Sequence, residues 1–155
     1  MSEQATYCHT QPGRLLQACL FMPALAAFLV CAFVIAIPTW ALFMLFAMGV
    51  LFVVLAWLFG SLTVSVGDGA VEIRFGPGLL RKRWALDGFT SVAVARNKWW
   101  YGWGIRLIPN GWLYNVSGLD AVELVRTSGR VLRIGTDEPE VLAEALRAAL
   151  ARSSK

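Results

Sequence analysis

The stretch Leu15–Leu62, LLQACLFMPALAAFLVCAFVIAIPTWALFMLFAMGVLFVVLAWLFGSL, contains no charged residue, and it decides how this chain is organised. Pro38 divides it into two apolar segments, Leu15–Ile37 and Trp40–Leu62. Each segment has about the 20 residues that an α-helix needs to cross a hydrocarbon core of roughly 30 Å. The sequence therefore predicts a hairpin of two transmembrane helices. A buried hairpin in a soluble domain is the alternative, but it would need more surrounding chain than 155 residues provide.

Charge is distributed unevenly along the chain. Up to Leu62 the only charged residues are Glu3 and Arg14, and thirteen of the fourteen Lys and Arg residues come later. The composition as a whole, 57% hydrophobic and 15% charged, is more typical of a membrane protein than of a globular one. The roughly ninety residues after the hairpin suffice for one small domain with its own core. We therefore divide the chain into a polar N-terminal tail (1–14), a hairpin (15–62) and a domain (63–155).

The flanks of the hairpin predict its orientation. The link Ile37–Trp40 carries no Lys or Arg, whereas Arg14 precedes the hairpin and Arg74 and Arg81–Arg83 follow it. By the positive-inside tendency, both termini are expected in the cytoplasm. Cleavage as a signal peptide is disfavoured, because the first apolar segment is too long and a second follows almost at once.

The region after Leu62 reads as strands. Short runs alternate apolar and polar residues, as in Val71–Phe75, and Gly, Asn or Asp residues separate them. Asn110 and Gly111 supply the positive φ angles of a hairpin turn. The pattern predicts about seven short antiparallel strands in a meander, each with one face towards a core and one towards water.

A helical pattern closes the chain. Asp137 and Glu138 suit the positive end of a helix dipole, and Leu142 and Leu146 then recur at helical spacing. The sequence predicts an amphipathic helix over about residues 138–152 that caps the sheet or plugs a barrel.

Four segments of the domain carry a resemblance to a known group of proteins. They are Gly102–Arg106, Gly111–Gly118, Ala121–Leu124 and Arg133–Pro139. Together with the layout from Leu15 onward, they resemble bacterial membrane-anchored proteins with a pleckstrin-homology-like (PH-like) domain, in a group with two spans. The resemblance implies a membrane-anchored α+β fold, a multi-pass location in the bacterial inner membrane, and a PH-like antiparallel β-barrel or sheet of about seven strands with a C-terminal capping helix. It implies no ligand, since phosphoinositide binding does not transfer with the fold alone.

Enzyme signatures are absent from the sequence. His9 is the only histidine and precedes the hairpin, so the domain cannot assemble a Ser-His or Cys-His pair. The glycine-rich stretches Gly76–Gly78 and Gly102–Gly104 open no helix and lack a following Lys-Ser or Lys-Thr, so they are not phosphate loops. Cys8 and His9 lack a second pair of metal ligands. We therefore predict a non-catalytic protein without a cofactor or a metal.

A basic cluster suggests contact with lipid. Arg81, Lys82 and Arg83, with Lys98 further along, would face an anionic surface in a domain tethered to a bilayer. Alternation sends Arg81 and Arg83 to one face of the strand and Lys82 to the other. A solvated strand face is therefore the alternative interpretation.

An aromatic cluster suggests an interface. Trp99, Trp100, Tyr101 and Trp103 are four aromatic residues within five positions, more than so small a core can bury. Tryptophan and tyrosine favour both the lipid headgroup region and protein interfaces. In the alternative interpretation, Trp100 or Trp103 fills the barrel while the others pack on the closing helix.

The two clusters lead to two functional hypotheses. The first is a scaffold or docking unit for a membrane protein partner, which would use the aromatic segment or a free sheet edge. The second is a sensor of anionic lipid surfaces, which would use the basic residues. A subunit of a membrane enzyme is a more remote alternative. Nucleic-acid binding is not expected, because a net charge of +4 on a membrane protein more often reflects topology.

Overall fold

The computed structural model describes residues 6–34 and 37–153, and it begins with two long apolar helices that precede a β-rich domain. Helix α1 spans Arg14–Phe33 and helix α2 spans Thr39–Leu58. Both are long and apolar enough to cross a membrane. They pack against each other, with the rings of Phe28 and Phe46 edge to face at 5.6 Å. Most of their other large apolar side chains are exposed, as expected if lipid surrounds them.

The domain described contains nine strands in two sheets and a C-terminal helix. The first sheet contains β1 (Tyr7–Pro12), β2 (Ser61–Gly67), β3 (Ala70–Phe75) and β4 (Leu80–Ala85), in that order. The second contains β5 (Phe89–Arg96), β6 (Gly104–Ile108), β7 (Gly111–Asn115), β8 (Asp120–Arg126) and β9 (Val131–Gly135). Their spatial order is β5-β8-β9-β7-β6. Helix α3 spans Pro139–Ser153.

One hydrophobic core joins the two sheets and α3. The inward side chains of β2 and β3 alternate with outward polar ones, as the sequence pattern predicts. Leu142 and Leu146 of α3 are fully buried in the same core. The predicted C-terminal helix is therefore confirmed, and its bounds differ by one residue at each end from those expected.

The strand arrangement differs from the predicted meander in number, direction and closure. Nine strands are present in the described residues instead of about seven. Strand β9 pairs in parallel with β7, with Gly111 opposite Val131, because the β8–β9 hairpin inserts between β5 and β7. The two sheets do not close into a barrel, and β4 and β6 are left as edge strands.

The N-terminal segment expected to be a polar tail is an edge strand. Strand β1 pairs antiparallel with β2, with Tyr7 opposite Val66 and Pro12 opposite Ser61. His9 also contacts the segment just before α3, where its Nε2 lies 2.8 Å from a carboxylate oxygen of Asp137. Residues 7–12 of the predicted polar tail therefore form a strand of the domain.

The helix bounds follow from this pairing. Ser61 belongs to β2, so α2 ends before the predicted limit of the second segment at Leu62. Residues 1–5, 35–36 and 154–155, which belong to the predicted tail, first span and domain, lie outside the described residues.

Both apolar helices leave from one end of the domain. The Gly13 amide donates a hydrogen bond to the carbonyl of Gly60 at 2.8 Å, which joins the start of α1 to the start of β2. Phe59 packs edge to face on Phe75 at the β3–β4 turn, at 5.4 Å. We call this the helix-proximal end. The β2–β3, β6–β7 and β8–β9 turns lie at the opposite, helix-distal end.

The pKa of Tyr7 provides a test that β1 packs against the domain. Burial and the negative charge of Glu138 raise the pKa of Tyr7 from 10.0 to about 12. Because the folded state holds this proton more tightly than the unfolded chain, the associated stability is present below pH 10 and is lost as the pH rises to 12. We expect the Tm of the full chain in detergent to fall more steeply over this range than that of Tyr7→Phe. Parallel curves for the two proteins would contradict the assignment.

Candidate functional site

The predicted aromatic cluster forms a defined loop between β5 and β6. We call residues Lys98–Trp103 the aromatic loop. Trp99–Tyr101 form one turn of 3-10 helix, closed by a hydrogen bond of 3.0 Å from the Tyr101 amide to the Lys98 carbonyl. Gly102 ends the turn with φ +68°, a conformation that a residue with a side chain rarely adopts. The glycine thus lets the chain reverse into β6 while the aromatic side chains project outward.

The aromatic loop projects from the helix-proximal end of the domain. The Asn97 amide donates a hydrogen bond of 2.7 Å to the Leu119 carbonyl in the β7–β8 turn. The β7–β8 turn also contacts the end of β1, just before α1 begins, because the side-chain amide of Gln11 donates a hydrogen bond of 3.2 Å to the Ser117 carbonyl. These contacts place the loop on the side of the domain from which the helices depart.

The loop presents two tryptophans to the outside. Trp99 is 77% exposed and Trp100 is 60% exposed, and their rings stand perpendicular at 5.8 Å. The Lys98 ammonium lies 5.0 Å from the centre of the Trp100 ring. The interpretation in which Trp100 fills the barrel is therefore wrong.

Tyr101 and Trp103 are half-buried and hold the loop together. The Tyr101 ring stands edge to face on Trp100 at 6.2 Å. The Trp103 carbonyl accepts a hydrogen bond of 3.0 Å from Nε of Arg106. Neither residue is part of the core cluster.

The predicted basic cluster does not form a single patch. In the β3–β4 pair, Lys82 lies opposite the buried Ile73 and so takes the inward face. Arg81 and Arg83 take the outward face, with Arg83 opposite Glu72. Lys98 is elsewhere, in the aromatic loop. The structure therefore groups Lys98 with the tryptophans and separates it from the three basic residues of β4.

A basic groove lies where the two sheets fail to close. It has a volume of about 620 Å³, and its lining includes basic and aromatic side chains from both sheets: Lys82, Trp84, Trp112, Tyr114, Arg126 and Arg130. No Asp or Glu lines it within the described residues. We call this cavity the basic groove.

Lys82 is held in the groove by aromatic residues. Its ammonium donates a hydrogen bond of 3.3 Å to the hydroxyl of the buried Tyr114. It also lies 5.6 Å and 5.9 Å from the ring centres of Tyr114 and Trp112. In the part of the chain that is described, no carboxylate forms an ion pair with Lys82. The ammonium is thus positioned without a neutralising partner.

The β8–β9 turn supplies the other two cations of the groove. Arg126 places its guanidinium 5.1 Å from the ring centre of Phe89. The Arg126 backbone amide donates a hydrogen bond of 2.8 Å to the Arg130 carbonyl, which closes the turn. Lys82 was predicted from the sequence, whereas Arg126 and Arg130 were missed. These residues lie more than forty positions from Lys82, and they meet it only where β4 of the first sheet comes close to the β8–β9 turn of the second.

Neither a metal site nor a similarity to known proteins indicates the function directly. Among residues 6–34 and 37–153, no group of three or more His, Cys, Asp or Glu side chains is arranged to hold a metal ion. No protein-family model matches the chain, and no curated protein is similar to it. A proposal for function therefore has to come from the aromatic loop and the basic groove.

Proposed function

We propose that this chain is a non-catalytic integral membrane protein whose PH-like domain acts as a scaffold for a membrane protein partner. In this proposal the two apolar helices span the bacterial inner membrane with both termini in the cytoplasm. The aromatic loop then docks the partner at the membrane surface. The observation that carries the proposal is the exposure of Trp99 and Trp100 at the helix-proximal end.

A tight joint between the helices and the domain supports this role. Only Gly13 separates β1 from α1, and only Phe59 and Gly60 separate α2 from β2. Because β1 and β2 are paired along six residues, the domain cannot swing on a flexible linker. The aromatic loop is therefore held at a fixed position relative to the end of α2.

The energetics of the exposed indoles also favour an interface. Burying a large apolar side chain contributes about 1.5–3 kcal/mol, and aromatic residues are enriched where proteins bind each other. Trp57, at the same end of α2, is exposed as well, and Trp40 is exposed at the opposite end of that helix. These positions match the aromatic belts of membrane-spanning helices.

Contact with anionic lipid is the second candidate function, and Lys98 favours it. Its ammonium lies beside Trp100 on the same end of the domain, an arrangement suited to a headgroup layer. Such a cation contributes about 1 kcal/mol near an anionic surface, and salt weakens the contribution. Of the predicted lipid contacts, Lys98 is the one in the aromatic loop, whereas Arg81, Lys82 and Arg83 lie on β4.

Photo-crosslinking in native membranes tests the two candidates together. A photoreactive amino acid is placed at Trp99 or Trp100 in the full chain, with Val141 of α3 as a control that is 53% exposed but belongs to a different surface. The scaffold proposal expects one discrete protein adduct from the loop positions that persists at high salt. Lipid adducts that decline with salt would favour the second candidate. Equal labelling from Val141 would contradict both.

A further inference from the structure

We propose that the basic groove binds an extended acidic segment of a partner protein. This inference rests on the scaffold function proposed above and names the chemistry of the partner. The groove lies on the helix-distal half of the domain, between β4 of the first sheet and β6–β9 of the second. It is therefore separate from the aromatic loop.

The charge of the groove selects an anionic ligand. Lys82, Arg126 and Arg130 line it, and in the described residues no carboxylate lines it. Arg126 and Lys82 are oriented by aromatic rings, so they lose little freedom when an anion arrives. Carboxylates that meet these cations form charge-assisted hydrogen bonds, which are stronger than neutral ones.

The shape of the opening between the two sheets favours an extended polypeptide as the ligand. Strands β4 and β6 are edge strands, and their free edges flank the opening between the sheets. A smaller apolar cavity of about 100 Å³, lined by Leu80, Ile105 and Tyr114 among others, lies on the helix-proximal side of the groove. Tyr114 and Lys82 line both cavities. The two cavities therefore form one continuous surface along β4, which is mostly apolar at one end and basic at the other. A strand of the partner that pairs with a free edge could place apolar side chains in the smaller cavity and acidic side chains in the basic groove.

Its position disfavours a lipid headgroup as the ligand. The β6–β7 and β8–β9 turns that bound the groove lie at the end opposite the two helices. Six-residue β4 spans about 20 Å at the usual rise per residue, so the two ends of the domain are well separated. With both helices in the membrane, the groove faces the aqueous side, where a partner's polypeptide reaches it.

A labelled peptide tests the proposal on the full chain in detergent. The probe is a fluorescein-labelled octapeptide that alternates Glu with Val, and the charge control alternates Lys with Val. Fluorescence anisotropy is expected to show saturable binding of the Glu peptide alone, weakened by salt. Absence of binding up to about 1 mM peptide would overturn the proposal, since that limit already corresponds to very weak association.

Matched variants assign the binding to the groove. Lys82→Met combined with Arg130→Ala is expected to weaken binding about tenfold or more, because two charge-assisted contacts are lost. Arg83→Met is the control, since Arg83 is the neighbour of Lys82 on the opposite face of the same strand and lines neither of the two cavities. Lys82→Arg should retain binding, which separates loss of charge from loss of folding. Equal binding by the wild type and the double variant would overturn the assignment.

Inorganic pyrophosphate separates a peptide site from a general anion site. The proposal expects pyrophosphate to displace the Glu peptide only at concentrations far above that of the peptide. Displacement at equal concentration would overturn the proposal in favour of a small phosphate ligand. If the peptide fails while crosslinks from Trp99 and Trp100 persist, the groove assignment is wrong and the scaffold function stands.

Discussion

Replacing Gly111 with alanine is expected to destabilise the domain by about 3 kcal/mol or more, at or above the upper end of the usual cost of overpacking. Gly111 begins β7 and lies directly opposite Val131 in the parallel β7–β9 pair. A Cβ at this position would overlap the Val131 carbonyl oxygen and carbon. Because the obstructing atoms are backbone, they can move only if the pairing of β7 with β9 is broken.

The Tm of the full chain in detergent, followed by tryptophan fluorescence, measures this loss. A decrease of more than about 12 °C is expected, since 1 kcal/mol corresponds to roughly 4–8 °C in a domain of this size. Gly88→Ala is the matched control, because a Cβ there meets nothing within 4 Å. Equal melting of the two variants would show that the parallel pair is not packed as described.

Replacing Gly76 with alanine is expected to loosen the domain from helix α2. Gly76 has φ +46° and lies in the turn between β3 and β4. A Cβ there would come within 2.6 Å of the carbonyl oxygens of Trp57 and Leu58, at the end of α2. The substitution therefore adds a clash at the joint to the cost of a strained backbone, which by itself is about 1–3 kcal/mol.

Gly78→Ala separates the two contributions. Gly78 has φ +89° in the same turn, but a Cβ there would meet only the Cδ atom of Arg74, at 3.9 Å. Both variants should have a lower Tm than the wild type. Limited proteolysis between α2 and β2 should accelerate in Gly76→Ala alone, and crosslinking from Trp100 should decline with it. Similar proteolysis of the two variants would contradict the proposed contact between this turn and α2.

Patterns within single segments of the sequence were sufficient to predict the helices. The uncharged stretch Leu15–Leu62 predicts the two apolar helices, and the spacing of Leu142 and Leu146 predicts α3 almost to the residue. These elements form from contacts between residues three or four positions apart, so their period is visible in the sequence. Alternation likewise predicts β2 and β3, because each has one buried face.

The sequence identified the residues of the aromatic loop but not their surroundings. Four aromatic residues in five positions predict that some are exposed, and Trp99 and Trp100 are. Whether they lie near the helices depends on the contact of Asn97 with Leu119, which no local pattern indicates. The sequence likewise placed Lys82 on the opposite strand face from Arg81 and Arg83. It did not show that Lys82 meets Trp112 and Tyr114 in a groove, because those residues come from the other sheet.

By itself, the sequence determined two apolar helices, a strand-rich domain and a closing amphipathic helix. Only the tertiary structure decided that Tyr7–Pro12 pairs with β2 across the whole hairpin, that β9 runs parallel to β7, and that the sheets leave a basic groove between them. The physical reason is the range of the interactions. Strand partners are chosen by burial and backbone pairing between distant segments, and such choices leave no periodic trace in either segment alone.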